Sequence, residues 1–269
     1  MPKAKVNGIS INYRVQGKGE PLVLIMGYSG DQTGWMFQTG AFKKYYRVIT
    51  FDNRGVGKTD KPTGAYSTKM MADDTVGLMD HLGIKKAHVL GMSMGGMIAQ
   101  AVAVNHPERI DRLVLACTYA GRGGPSGLSP EYPKALGFDE NYTDDDARSM
   151  PILKLVGNLY SLAFNRLLFR IMFVPIAKIQ ARFNGNTGLR GQLEAVLSHN
   201  ALDNLSAVRV PTLAICGTKD RVIKPSSSEV IAKLIPNAKL VQIDGGSHAF
   251  NIEMSGGFNR EVLSFLRAG

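Results

Sequence analysis

Across 269 residues the chain carries only two cysteines, Cys117 and Cys216, and a single tryptophan, Trp35. Two cysteines cannot build the disulfide framework of a small secreted domain. Each ends an apolar run, Leu113 to Cys117 and Leu213 to Cys216. That setting suits reduced thiols buried as small hydrophobes, with a redox pair across neighbouring strands as the alternative. There is no C-x-x-C pair, no H-E-x-x-H and no G-x-x-x-x-G-K-[ST], and the glycines at 91, 95 and 96 do not fit G-x-G-x-x-G. Metal, phosphate-loop and dinucleotide sites are therefore unsupported, and no metal is expected.

Long hydrophobic runs are missing too. Residues 152–183 are rich in Leu, Ile, Phe and Met, but Lys154, Arg166, Arg170 and Lys178 interrupt them and Pro175 breaks them. Their longest charge-free run, Leu155 to Asn165, has 11 residues, against the ~20 needed to span a bilayer. No transmembrane segment is expected, and an interfacial helix stays open. Met1 to Val6 has no apolar signal region, which makes a cytoplasmic location the default. Net charge is +10, yet no run of Lys or Arg exceeds two. Scattered charge of this kind reads as a solvated basic surface, so no nucleic-acid partner is expected.

Apolar runs at Pro21–Met26, Val48–Phe51, residues 86–90 and Ile110–Cys117 alternate with helical segments. Strands that are continuously apolar are buried on both faces, as in a parallel sheet covered by helices. Asn7-Gly8 between alternating residues predicts an opening antiparallel hairpin. Ser67 caps a helix to about Leu82, which Gly83 closes. After Ala120 the composition changes to a flexible Gly-rich connector at 121–127, a polar stretch with Asp144-Asp145-Asp146, and then apolar helical spacing. The strand pattern resumes at Val210 and continues through Ala238–Ile243, with a last helix from about Gly257 to Leu266. The expected organisation is a core of residues 1–120 and 206–269, with residues 121–205 inserted as a helical cap that packs on the core and roofs its cleft.

The chain is organised around Gly91-Met92-Ser93-Met94-Gly95-Gly96. An apolar run enters it and an alanine-rich run leaves it, so it reads as strand, tight turn and helix with Ser93 at the apex. A side chain at 91 or 95 would meet the turn or neighbouring backbone, and glycine has none. The apex also lies at a helix N-terminus, where the field favours incoming negative charge.

A serine hydroxyl needs a base, and the base needs a carboxylate to hold its tautomer. Of the five histidines, His81, His88, His106 and His199 fall in a strand or near the ends of helices. His248 alone follows a strand in a glycine-led loop, Asp244-Gly245-Gly246-Ser247-His248. Asp220 directly follows the strand ending at Cys216 and is preferred as the acid over Asp244, which shares His248's own loop. Met94 supplies one backbone N–H for an oxyanion, and Tyr28, after Gly27, is placed for the second.

These segments together resemble the α/β-hydrolases. The resemblance rests on Leu22–Gly30, Asp52-Asn53-Arg54-Gly55-Val56-Gly57, the Ser93 turn, Gly217–Asp220 and Gly245–His248, and within the superfamily it points to small capped esterases, enol-lactonases and carbon–carbon bond hydrolases. It implies an eight-stranded, mostly parallel sheet flanked by helices, a helical cap inserted after the sixth strand, and no cofactor. It also implies that Asp52 and Arg54 buttress the sheet edge, and that Gly27 and Trp35 are candidates to border the substrate pocket, with packing the preferred role for Trp35. The family's usual His-Gly before the oxyanion loop is Met26-Gly27 here, which leaves that loop's hydrogen bonding open.

The expected function is a serine carboxylic-ester hydrolase of the carboxylesterase type, with Ser93 as nucleophile, His248 as base and Asp220 as its orienting acid. Its partner would be a small-molecule ester with an apolar, small-to-medium acyl or aryl group, and a homo-oligomer is compatible with the sequence. The rivals are a lactonase or C–C bond hydrolase using the same triad, and a non-catalytic ligand-binding or receptor protein on this scaffold.

Overall fold

The structure, a computed structural model, describes residues 2–122, 126–129, 134 and 143–268. Residues 123–125 of the Gly-rich connector expected at 121–127, and residues 130–133 and 135–142 of the polar stretch after it, lie outside the described residues.

Eight strands form one sheet: β1 (Lys3–Val6), β2 (Ile9–Gln16), β3 (Pro21–Ile25), β4 (Arg47–Phe51), β5 (Ala87–Met92), β6 (Ile110–Ala116), β7 (Thr212–Gly217) and β8 (Lys239–Ile243). Their spatial order is β1-β2-β4-β3-β5-β6-β7-β8. The Asn7-Gly8 hairpin pairs β1 with β2 antiparallel, β2 pairs antiparallel with β4, and every later pairing is parallel. β5 and β7 are buried at every position, as their unbroken apolar runs require. β5 continues to Met92, two residues beyond the expected strand, and so delivers Ser93 directly at the sheet edge.

Among the described residues the α-helices of known extent are α1 (Met36–Phe42), α2 (Thr68–His81), α3 (Met94–Asn105), α4 (Asp144–Ser149), α5 (Ile152–Ala163), α6 (Leu167–Leu197), α7 (Ser226–Leu234), α8 (Phe250–Glu253) and α9 (Ser255–Arg267). The Ser67 hydroxyl accepts the Met70 N–H, which caps α2 as expected. α3 is almost wholly buried, and its alanines let it lie close against the sheet.

The segment between β6 and β7 carries α4, α5 and α6. It is fastened to the rest of the chain by one apolar cluster that joins Val56, Met97 and Tyr119 to Leu155, Phe164 and Leu189. The long α6 departs from helical backbone at Gly185 and carries Pro175 inside. Beyond that kink it turns inward, and Ala195 belongs to the main core. The expectation that the apolar residues of 152–183 pack inward holds for only part of them. Leu167, Leu168, Ile171, Met172, Ile179 and Phe183 are exposed.

Candidate active site

Because β3, β5, β7 and β8 run parallel, the loops that follow them gather at one edge of the sheet. Gly27-Tyr28 follows β3, Ser93 follows β5, Asp220 follows β7 and His248 follows β8.

Ser93 has φ 55° and ψ −123°, a conformation that non-glycine residues rarely adopt and that costs of order 1–3 kcal/mol. The surrounding backbone holds it there. Its N–H donates to Ala116 O at 2.9 Å, and Thr118 Oγ1 donates to its carbonyl at 2.8 Å. The turn closes only because a Cβ at Gly91 would strike the Gly95 carbonyl, and one at Gly95 would strike the Ile25 carbonyl of β3.

Ser93 Oγ lies 3.1 Å from His248 Nε2. His248 Nδ1 donates to Asp220 Oδ2 at 2.7 Å. The other Asp220 oxygen accepts the N–H groups of Val222 and Ile223 at 2.8 and 3.0 Å, so the carboxylate is fully engaged and buried. Burial alone would lower the His248 pKa, but the Asp220 carboxylate overrides it and holds the imidazole well above its ordinary value. Asp244, the competing carboxylate, is exposed and accepts from Thr218 Oγ1.

Facing Ser93, Gly27 comes so close that a Cβ there would lie 3.1 Å from Ser93 Cβ. Among the described residues, neither the Tyr28 nor the Met94 N–H has a protein acceptor. Met26, where the resemblance leads one to expect histidine, packs its side chain against Gly30 and Gly34. The hydrogen bonds that hold this loop come from elsewhere. Asn53 Nδ2 donates to Met26 O at 2.8 Å, the Ser29 N–H donates to Gln192 Oε1 at 3.0 Å, and Gln192 Nε2 donates to Arg54 O at 2.8 Å. Gln192 sits on α6, 163 residues from Ser29, and no local sequence signal marks it.

Asp52 ties the same edge together, accepting from Asn12 Nδ2, the Gln32 N–H and the Lys58 N–H. Arg54 makes a buried two-point pair with Asp74 at 2.5 and 2.8 Å.

A cavity of about 170 Å³ opens above Ser93. Gly27, Tyr28, Ser93 and His248 form its floor, and Leu159, Tyr160, Phe164 and Phe173 from the inserted helices also line it. Its walls are mostly apolar. Trp35 does not line it. That side chain ends a short 3₁₀ turn, is fully buried and packs in the cluster with Leu24 and Phe42, so packing is its role.

Both cysteines are free and buried, and burial pushes the Cys216 thiol up to about 11. Cys117, Asp220 and His248 form the one group of metal-ligand side chains gathered among the described residues. Their atoms already bond one another, Ser93 or, for the Cys117 thiol, the His248 carbonyl.

A sheet of this order, with a strained serine, a buried histidine and a buried carboxylate at one edge, defines an α/β-hydrolase. The family model for the alpha/beta hydrolase fold matches residues 20–254, and the chain belongs to that family. It is similar to the enol-lactonase of Burkholderia xenovorans LB400, at 29% identity and a TM-score of 0.85, over 98% of this chain and 99% of that one. It is also similar to the meta-cleavage product hydrolase CumD of Pseudomonas fluorescens IP01, at 26% identity and a TM-score of 0.80, over 99% and 97%. A sequence relative from Azorhizobium caulinodans, named "Putative carbamate hydrolase RutD", is 27% identical over 98% of both chains. The chain is thus a hydrolase of the α/β fold.

Proposed function

We propose that this hydrolase cleaves carboxylic esters with small-to-medium apolar acyl or aryl groups, through an acyl-enzyme on Ser93. The observation that carries the reading is the hydrogen-bonded line from Ser93 Oγ through His248 to Asp220, at 3.1 and 2.7 Å. In this reading His248 Nε2 takes the Ser93 proton as Oγ adds to the ester carbonyl carbon. The carbonyl electron pair moves onto oxygen, where the N–H groups of Tyr28 and Met94 receive it, each worth roughly 3–4 kcal/mol in the transition state. His248 then passes its proton to the departing alcohol oxygen as the C–O bond breaks. A water gives a proton to His248 and adds to the acyl carbon. The acid leaves and Ser93 recovers its proton. Residues 121–205 act as the cap, and the apolar walls given by Leu159, Phe164 and Phe173 favour an apolar acyl or aryl group.

A second reading keeps these residues and changes the substrate to a lactone, in which the leaving alcohol stays tethered to the acyl group. The likeness to an enol-lactonase favours it. A panel of aryl esters and lactones separates the two. The test of the shared mechanism is labelling with a fluorophosphonate, with the adduct located by mass spectrometry. Modification of Ser93, and loss of turnover on the order of 10⁶-fold in Ser93→Ala, are expected. Labelling elsewhere, or a variant as active as the parent, overturns it.

A further inference from the structure

The first half of α6 presents a face that no other described residue covers. Its inward side is set by Phe169, Phe173, Ala177 and Ala181, three of them spaced four residues from the last and all on one stripe. Phe164, Phe169 and Phe173 stack there, with centroids 5.2–6.2 Å apart. The opposite side carries Leu168, Met172, Ile179 and Phe183, flanked by Leu167 and Ile171, all exposed, with Phe183 at 84%. A monomeric soluble protein seldom shows so many large apolar side chains on one stripe.

The segment that carries this stripe has charge of a single sign, although two carboxylates from other elements touch α6: Glu253 accepts the Arg166 N–H, and Asp31 accepts from Gln180 Nε2. No Asp or Glu occurs between Asp146 and Glu194, whereas that interval holds seven Lys and Arg residues. On the exposed side of α6, Lys178 and Arg182 lie beside the apolar stripe and Arg166 precedes it, whereas Arg170 is half-buried and donates to Ser161 Oγ. Among the described residues none of these four joins an ion pair. The stripe also reaches the site: Ile176, next to it on the helix, and Met36, an exposed residue of α1, both line the cavity over Ser93.

We propose that this face of α6 docks on an anionic lipid surface, with the helix lying in the plane of the headgroups and the cavity mouth turned toward the bilayer. Apolar side chains flanked by Lys and Arg are what the headgroup–acyl boundary of an anionic membrane accepts. A second copy of the chain is the poorer occupant. A two-fold contact would set the patch against itself, bringing the unpaired cations of α6 together with no carboxylate from residues 147–193 to meet them. No helix among the described residues is long and apolar enough to cross a bilayer.

The experiment is vesicle flotation of the full chain with two lipid mixtures, phosphatidylcholine alone and phosphatidylcholine with 30% phosphatidylglycerol, alongside sedimentation velocity without lipid. The parent and Ser93→Ala are expected to float equally with the anionic vesicles and to stay below with the neutral ones, since docking does not depend on catalysis. Ile179→Glu/Phe183→Glu is expected to lose flotation, and Lys178→Gln/Arg182→Gln to weaken partitioning by roughly fivefold per charge removed. None of these four residues lines the cavity, so hydrolysis of a soluble ester should persist and report that each variant folds. Equal flotation with both mixtures, no flotation in a folded parent, or a stable dimer that Phe183→Glu dissociates would each overturn the proposal.

Discussion

Glu253 accepts the backbone N–H of Arg166 at 2.7 Å, and the Ser247 hydroxyl donates to the same carboxylate. The residue before His248 is therefore bonded to the carboxylate that holds the first turn of α6. The Ala249 N–H, donating to Ala163 O at 2.9 Å, adds a second tie between the histidine loop and the inserted helices. Glu253→Ala should loosen both anchors. The expected result is a fall of about 10²-fold in kcat/KM, the scale of a 1 Å misplacement of a catalytic group, with Glu253→Gln recovering part of it. Steady-state kinetics beside a melting curve checks this, because a purely structural residue would move Tm and leave kcat intact.

The His248 imidazole holds its proton to higher pH than a free histidine because of Asp220. Only its neutral form can take the Ser93 proton, so activity should fall as pH drops through a value above the ordinary 6.5. Asp220→Asn removes the carboxylate. The acid limb of the pH–rate profile should then move to lower pH while the plateau drops by roughly 10⁴-fold. A limb that stays in place would separate it from His248.

Arg54 and Asp74 are both buried and bonded at two points. Arg54→Met strands the carboxylate and should destabilise the fold by about 3–5 kcal/mol. Pairing it with Asp74→Leu should return most of that loss. Urea unfolding of the two variants tests the difference.

His199 is buried, with Nδ1 3.2 Å from Thr68 Oγ1 and its ring tilted against Tyr119. Burial pushes its pKa down to about 4. Between the unfolded value near 6.5 and that pKa, only the unfolded chain takes up the proton, so stability is lost as pH falls, by up to about 3 kcal/mol. Melting temperatures measured from pH 7 to 4 should drop less steeply in His199→Gln than in the parent.

Much of this fold was legible in the sequence, for a physical reason. Strands such as β5 and β7 are buried on both faces, so they carry unbroken apolar runs, and the glycines of the Ser93 turn are required by backbone approaching backbone. The positions of Asp220 and His248 followed from a parallel sheet, whose loops share one edge. What was not legible depends on contacts between segments far apart in the chain. Gln192 reaches Ser29, and Glu253 reaches Asn165 and Arg166, across 163, 88 and 87 residues, with no periodicity to announce them. The apolar content of 152–183 suggested burial as a whole. Composition could not divide it between an inward aromatic stripe and an outward aliphatic one, because that depends on where the helix lands on the core.

The conformation of Ser93 sets two demands on one position against each other. Its backbone, at φ 55°, is one that glycine adopts without penalty and serine does not. Ser93→Gly should therefore leave a protein that is inactive yet harder to unfold, by about 1–2 kcal/mol. A lineage released from the need for catalysis would gain folding stability by losing this hydroxyl.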